Sequence, residues 1–374
     1  MWRVPLRTWF LVRLSALVAA VILAVPGTGA AAAVRQSFPP PTGDPRIIRS
    51  GARLTMLFDR ACGLTTGPAA DRQGDVFFAD LEPSTRCRNA QGRPQAGVIY
   101  RYRSADGRTT VFRSPSGQAN GMQFDADGNL VVAESADYGG RRVTRIDPRT
   151  GQSVVLADRY QGRPLNSPNG VSIDERGRIY ITDPRYDGPE PVDQPVEGIY
   201  RIDRDRSIHR IIVNAAKPNG VWVSPDQRTL YVADFDTGFL DELRLTPAEL
   251  ASIPPRLMTL WAYPLHPDGT VGERRALVNY LPRFGPDGIT TDVDGNLYVA
   301  VRDTTAPGIR VYAPNGHELA RIPTGDALPT SAEFGTGTQA HVLYITAGKG
   351  LYRIDLNSRG YKLPQHGATA SPTG

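Results

Sequence analysis

The 374-residue sequence predicts an all-β protein, a six-bladed β-propeller with an N-terminal strand closing the last blade, and three observations carry that prediction. A turn followed by an apolar strand recurs six times: "DRQGDVFFAD" (71–80), "DADGNLVVAE" (125–134), "DERGRIYITD" (174–183), "SPDQRTLYVAD" (224–234), "DVDGNLYVAV" (292–301) and "GTQAHVLYITA" (337–347). Their starts lie 54, 49, 50, 68 and about 45 residues apart, the span of one four-stranded blade. A second strand follows most copies ("GVIYRYR", "RRVTRID", "GIYRIDR", "GIRVYAP", "GLYRIDL"), and 38 Gly with 32 Pro in no short period fit a chain of many turns.

Taken in order, residues 1–33 carry Arg3, Arg7 and Arg13, an apolar run from about Leu14 to Val25, and small residues ending at Ala33. This is the layout of a cleaved secretory signal and predicts a secreted, periplasmic or cell-envelope location. A retained anchor is the competing reading, but the run is shorter than the roughly 20 residues a membrane-spanning helix needs. Residues 34–45 read as a linker, and 46–363 as the propeller. Within it, "IIRSGARLTMLF" (47–58) is placed to add an outer strand to the last blade and remove an open sheet edge. The repeated strands are apolar on both faces, as sheets sandwiched between neighbours require. The 68-residue interval contains "TPAELAS", where Thr246 can cap a short helix, Pro247 suits its first position and Glu249 can complete a capping box. The tail, 364–374, is rich in Gly, Ser, Thr, Ala and Pro and reads as disordered.

Composition narrows the function classes. Losing the three leader arginines takes the formal charge from +5 to +2, which gives little support to a nucleic-acid partner, and neither a stable membrane insertion nor an oligomer is expected. Cys62 and Cys87, the two cysteines, favour a disulfide in an oxidising compartment over two separate thiols. No GxSxG, HExxH, Walker loop or GxGxxG is present.

Five residues ahead of the first five turns stand Thr66, Asn120, Asn169, Asn219 and Asp287, and four ahead of the sixth stands Glu333, each able to offer a side-chain oxygen. Innermost propeller strands surround a central channel, so equivalent positions at their entrances form a ring. Asn, Asp and Gly also favour turns, so local backbone chemistry is the alternative; the fixed offset argues for the ring. Amide and carboxylate oxygens without Cys or His suit a hard divalent cation, Ca2+ before Mg2+, with Zn2+ or Mn2+ as alternatives. Such an ion polarises a carbonyl or phosphoryl oxygen and positions water.

The runs "GPAADRQGDVFFAD", "ANGMQFDADGNLVVAE", "NSPNGVSID", "KPNGVWVSPDQRTLYVAD" and "GPDGITTDVDGNLYVA" resemble the senescence-marker-protein, gluconolactonase and luciferin-regenerating-enzyme family over about residues 55–358. The resemblance implies a six-bladed propeller with one axial divalent ion and, commonly, lactone hydrolysis; some relatives cleave organophosphates or have lost hydrolysis. It implies metal ligation by Asn169, Asn219 and Asp287. Where the family carries a glutamate this chain has Thr66, in "LTTGPA". Three explanations follow: Glu333 supplies the missing charge, the ion binds weakly through Asp287, two Asn and water, or the pocket serves another use.

The reading is therefore an exported, metal-dependent hydrolase of a lactone or similar cyclic ester. Asn169, Asn219, Asp287 and Glu333 are expected as ligands, with Asp287 also orienting or deprotonating the attacking water. Thr66, Asn120 and Arg142 are expected on the pocket wall. A binding propeller with a degraded metal site, or a non-hydrolytic biosynthetic enzyme in the same cavity, are the alternatives. Asp183, Arg185 and Tyr186 are expected at the end opposite the ring, as a structural corner, and "DFDTG" (234–238) as a turn between strands.

Overall fold

The computed structural model describes residues 38–238 and 256–364. The expected signal (1–33), part of the linker, the helix at 246–252 and all but the first residue of the expected tail lie outside them. Two strands precede the repeats, β1 (Thr42–Gly43) and β2 (Thr55–Phe58). Blade one is β3 (Leu64–Ala70), β4 (Val76–Leu81), β5 (Val98–Arg103) and β6 (Arg108–Arg113); blade two is β7 (Ala119–Phe124), β8 (Leu130–Glu134), β9 (Arg142–Ile146) and β10 (Ser153–Ala157). After a small hairpin, β11 (Arg159–Tyr160) with β12 (Arg163–Pro164), blade three runs β13 (Val171–Ile173), β14 (Ile179–Thr182), β15 (Ile199–Ile202) and β16 (Ile208–Ile212). Blade four is β17 (Pro218–Val223), β18 (Thr229–Asp236), β19 (Leu257–Pro264) and β20 (Arg275–Asn279). Blade five is β21 (Pro286–Thr291), β22 (Leu297–Val301), β23 (Gly308–Tyr312) and β24 (Glu318–Pro323), extended by β1; blade six is β25 (Pro329–Phe334), β26 (Val342–Ala347) and β27 (Gly350–Asp355), completed by β2. The six-bladed all-β arrangement is the expected one, and β2 closes the last blade by antiparallel pairing with β27.

The repeated turn explains the repeated hairpin. The carboxylate of Asp71 accepts the amides of Gln73 and Asp75; Asp125, Asp174 and Asp292 do the same two and four residues on. Gly74, Gly128, Gly177 and Gly295 occupy the left-handed position that ends each turn, at φ of 77 to 87°. Blade four substitutes Ser224 and Gln227, the latter at φ 62° and held by amide hydrogen bonds from its side chain to the Ser224 and Pro225 carbonyls. Each turn thus registers an inner strand against a buried second strand; β4, β8, β14, β22 and β26 are buried along their whole length. Their apolar side chains fill the seams between blades, as where Tyr298 and Ile309 of blade five pack with Phe334 and Leu343 of blade six. The expected turn at 234–238 begins inside a strand, because β18 runs through Asp236.

The chain after β27 crosses beneath the propeller. Gly360 bridges to Asp292, the Tyr361 hydroxyl donates to Glu175 at 2.9 Å, and Leu363 is buried with Val131 and Val171.

Candidate active site

The inner strands are irregular where they begin. Pairing skips between Thr66 and Ala69, Ala119 and Met122, Pro218 and Val221, Pro286 and Ile289, and Pro329 and Ser331. These bulges release Asn120, Asn219, Asp287 and Thr330 from the ladder and begin just after Thr66, which pairs with Ala79; with Asn169 these residues line one funnel at the mouth of the axial channel. A glycine follows every one of these residues except Thr330, which precedes Ser331, and lets neighbouring strands meet at the axis. A Cβ on Gly67 would stand 1.8 Å from the Asn120 carbonyl oxygen, on Gly121 2.3 Å from that of Asn169, on Gly170 2.6 Å from that of Asn219, and on Gly220 2.3 Å from that of Asp287. The "NG" and "DG" pairs therefore serve close approach at least as much as turning.

The sixth member is Thr330 and not Glu333. Counting back from the last turn fails because that hairpin contains a 3-10 turn, Gly337–Gln339, in place of the Asp-x-x-Gly turn. A preceding proline marks the position in four blades, Pro168, Pro218, Pro286 and Pro329, a sequence signal that the offset missed. Glu333 lies three residues further along β25, on the lower side of the ring, where its carboxylate pairs with the Lys362 ammonium and accepts the Phe334 amide at 2.8 Å. Burial raises its pKa while Lys362 opposes the shift.

Hydrogen bonding sorts the ring. Thr66 donates to the Asn120 carboxamide oxygen at 3.1 Å, so these two side chains satisfy each other. Thr330 turns to the blade-six/blade-one seam and donates to the Thr65 carbonyl at 2.7 Å. Asn219 donates from Nδ2 to the Tyr186 hydroxyl at 3.3 Å, which leaves Oδ1 as the other arm of its carboxamide. The Asn169 carboxamide has no hydrogen-bond partner among the described residues although Asn169 is only 9% exposed, an arrangement that points to a ligand. Asp287, also 9% exposed, is the single ring carboxylate; its Oδ2 lies 3.3 Å from Nη1 of Arg302, which shares the funnel wall. Asn169, Asn219 and Asp287 are hard oxygen donors and fit a divalent cation in kind, with one formal negative charge between them.

The wall above the ring comes from the ends of the second strands. An antiparallel hairpin puts the end of its second strand beside the start of its first, so Tyr186 and Asp187 border the funnel and the expectation that Asp183, Arg185 and Tyr186 lie opposite the ring is overturned. Asp183 and Arg185 are nevertheless structural. Asp183 is fully buried, which pushes its pKa up to about 7 against the opposing Asn166 and Ser167 amides it accepts at 2.8 Å; the Arg185 guanidinium holds the Asn166 carbonyl at 3.0 Å. Arg142 is corrected as well: from β9 its Nε pairs with Glu134 at 2.7 Å and it does not line the funnel. An arginine at the start of a third strand is too far out along the blade; Arg302, one residue past β22, is where the pocket arginine lies. At the rim, the Cys62–Cys87 disulfide holds the loop after β4, and Ser84 of that loop binds Asp137 of blade two through its amide at 2.8 Å and its hydroxyl at 2.6 Å. The non-atom space between the walls, open solvent at the mouth included, is about 770 Å³.

Comparison with known proteins gives a consistent picture. A family model described as the SMP-30/gluconolactonase/LRE-like region matches residues 69–252 and 253–349. A gluconolactonase of Zymomonas mobilis is 29% identical over 293 residues, 71% of this chain and 74% of that protein. The solved structure of a gluconolactonase from Xanthomonas campestris superposes with a TM-score of 0.68 at 27% identity, covering 86% of this chain and 99% of the other. A calcium-binding regucalcin from Agrobacterium tumefaciens shares the fold, with a TM-score of 0.61 at 18% identity over 83% and 96% of the two chains.

Proposed function

The chain belongs to the SMP-30/gluconolactonase/LRE-like family, and from that membership we propose that it hydrolyses a lactone or similar cyclic ester in the axial funnel, using a divalent cation, calcium first, held by Asn169, Asn219 and Asp287. One observation carries the reading: the Asn169 carboxamide, 9% exposed and without a hydrogen-bond partner among the described residues, borders one cavity with Asn219 and Asp287. When bound, such a cation polarises the substrate carbonyl and lowers the cost of the developing oxyanion.

The chain's own groups do the rest. Asp287 lies within the wall that the reacting carbon approaches and orients or deprotonates the attacking water. Tyr186 fixes the Asn219 carboxamide, and Phe235 and Leu81 give the wall apolar surface that limits competing water. Glu333, committed to Lys362, is left out of the ligand set.

Export belongs to the same proposal, supported by the charged, apolar and small-residue order of residues 1–33 and by the disulfide. A monomer acting on a small molecule, without nucleic acid, is the simplest assembly consistent with the composition. The test is acid release from a panel of sugar and aliphatic lactones with calcium and with chelator, beside metal analysis of the purified protein. Chelator-sensitive turnover is the expected result. Absence of both metal and turnover overturns the reading in favour of a binding propeller.

A further inference from the structure

Arg302 is the cation built into the funnel wall. It follows β22 directly, its side chain is 12% exposed, and among the described residues its one polar side-chain contact is Asp287, through Nη1 alone. A guanidinium carries five N–H donors in a planar fork that matches a carboxylate bidentately. At 3.3 Å the contact is longer than the roughly 2.7–2.9 Å of a tight charge-assisted bond, and it engages one nitrogen of three. The Phe235 ring centroid lies 5.9 Å from the guanidinium carbon, a contact that uses no donor. A mostly buried cation is thus presented to the cavity beside the single ring carboxylate.

Resting on the proposed lactone hydrolysis, we infer that Arg302 is a catalytic residue that joins the cation in receiving the substrate's carbonyl oxygen and then holds the carboxylate of the hydroxy-acid product, with Asp287 serving the water on the adjacent side. The water oxygen bonds to the carbonyl carbon, and one of its protons passes to the Asp287 carboxylate. The carbonyl electron pair moves to the oxygen facing Arg302. Collapse of that oxyanion breaks the ring C–O bond, the Asp287 proton moves to the departing ring oxygen, and the remaining proton is lost as the acid ionises. One water is consumed and one carboxylate is left against the guanidinium.

Calorimetric titration of gluconate into chelator-treated protein tests this without relying on turnover. Wild type is expected to bind; Arg302→Gln should weaken binding at least tenfold, while sorbitol, the neutral counterpart, should bind both alike. Asp287→Asn, which frees the guanidinium, should bind gluconate several-fold more tightly and guards against a simple folding defect in the first variant. In turnover, Arg302→Gln should lose about 10²-fold in kcat/KM, partly restored by guanidinium ion. Should no lactone be hydrolysed, the functional proposal fails, and the carboxylate site is still decided by binding of gluconate and shorter hydroxy acids. Unchanged gluconate affinity in Arg302→Gln, or no carboxylate binding by wild type, overturns the inference.

Discussion

The Asn219 carboxamide is oriented by the Tyr186 hydroxyl. That hydroxyl stands 3.1 Å from the Lys217 carbonyl and 3.0 Å from the Phe235 carbonyl, so its one proton goes to a backbone oxygen and it can only accept from Asn219 Nδ2 at 3.3 Å. Lys217 lies over the same ring at 4.9 Å and helps hold it. Tyr186→Phe removes the acceptor, and calcium affinity measured by calorimetry should fall roughly tenfold. The melting temperature of chelated protein should move little; a large fall in stability with unchanged calcium affinity would mean that the tyrosine only packs.

A second ring carboxylate should strengthen the proposed cation site. Thr66 lies on the ring at 6% exposure and its hydroxyl serves Asn120. Thr66→Glu is expected to tighten calcium binding about tenfold, since ligand charge tunes such sites. Unchanged or weaker binding in folded protein would place the cation away from the ring.

The inter-blade glycines should be intolerant of alanine. A Cβ on Gly220 would sit 2.3 Å from the Asp287 carbonyl, a backbone contact that only strand displacement relieves. Gly220→Ala should cost about 1–3 kcal/mol in denaturant unfolding and lower turnover by displacing Asp287. Wild-type stability and activity would refute close approach as the glycine's role.

Stability should depend on pH through Glu82, which stands between the funnel-wall residues Leu81 and Pro83. Burial first, then the nearby Asp80 carboxylate, raises its pKa from 4.5 to about 7. Between those values the folded state holds a proton the unfolded state has released, so this group's contribution to stability falls as pH rises from about 4.5 to 7. Glu82→Gln should flatten that part of the profile by an amount on the order of 1–2 kcal/mol. An unaltered slope in urea melts at stepped pH would exclude Glu82 as its source.

The disulfide should matter for the rim more than for the blades. Cys62 and Cys87 close a 25-residue separation around the hairpin of β3 and β4. Replacing both with Ser should cost about 2–4 kcal/mol and raise KM more than it lowers kcat, because the freed loop carries Ser84, which ties blade one to blade two. Equal loss in both constants would argue for damage at the ring.

Much of this was legible in the chain because the repeat is local. The Asp-x-x-Gly turns, the apolar strands behind them and the blade spacing sit within a few residues of one another, and the close approach of Asn120, Asn169, Asn219 and Asp287 was readable from a constant offset. Glu333 was misplaced because the offset was counted through a turn of different length, and Thr330 with its preceding Pro329 was passed over. Arg142 and Tyr186 were misjudged for a different reason: whether a side chain faces the funnel depends on which strand end borders the ring.

By itself, the sequence determined the number of blades, the closure by an N-terminal strand and five of the six residues that stand around the axis, and it favoured the pairing of Cys62 with Cys87, since each is written in short-range spacing and residue chemistry. Only the tertiary structure decided which of those residues turn inward. Thr66 meets Asn120 from the next blade, Thr330 meets Thr65 across the seam, and Arg302 meets Asp287 beside the bulge. Such choices depend on which buried donors find acceptors in three dimensions, and no linear pattern encodes the partner left over.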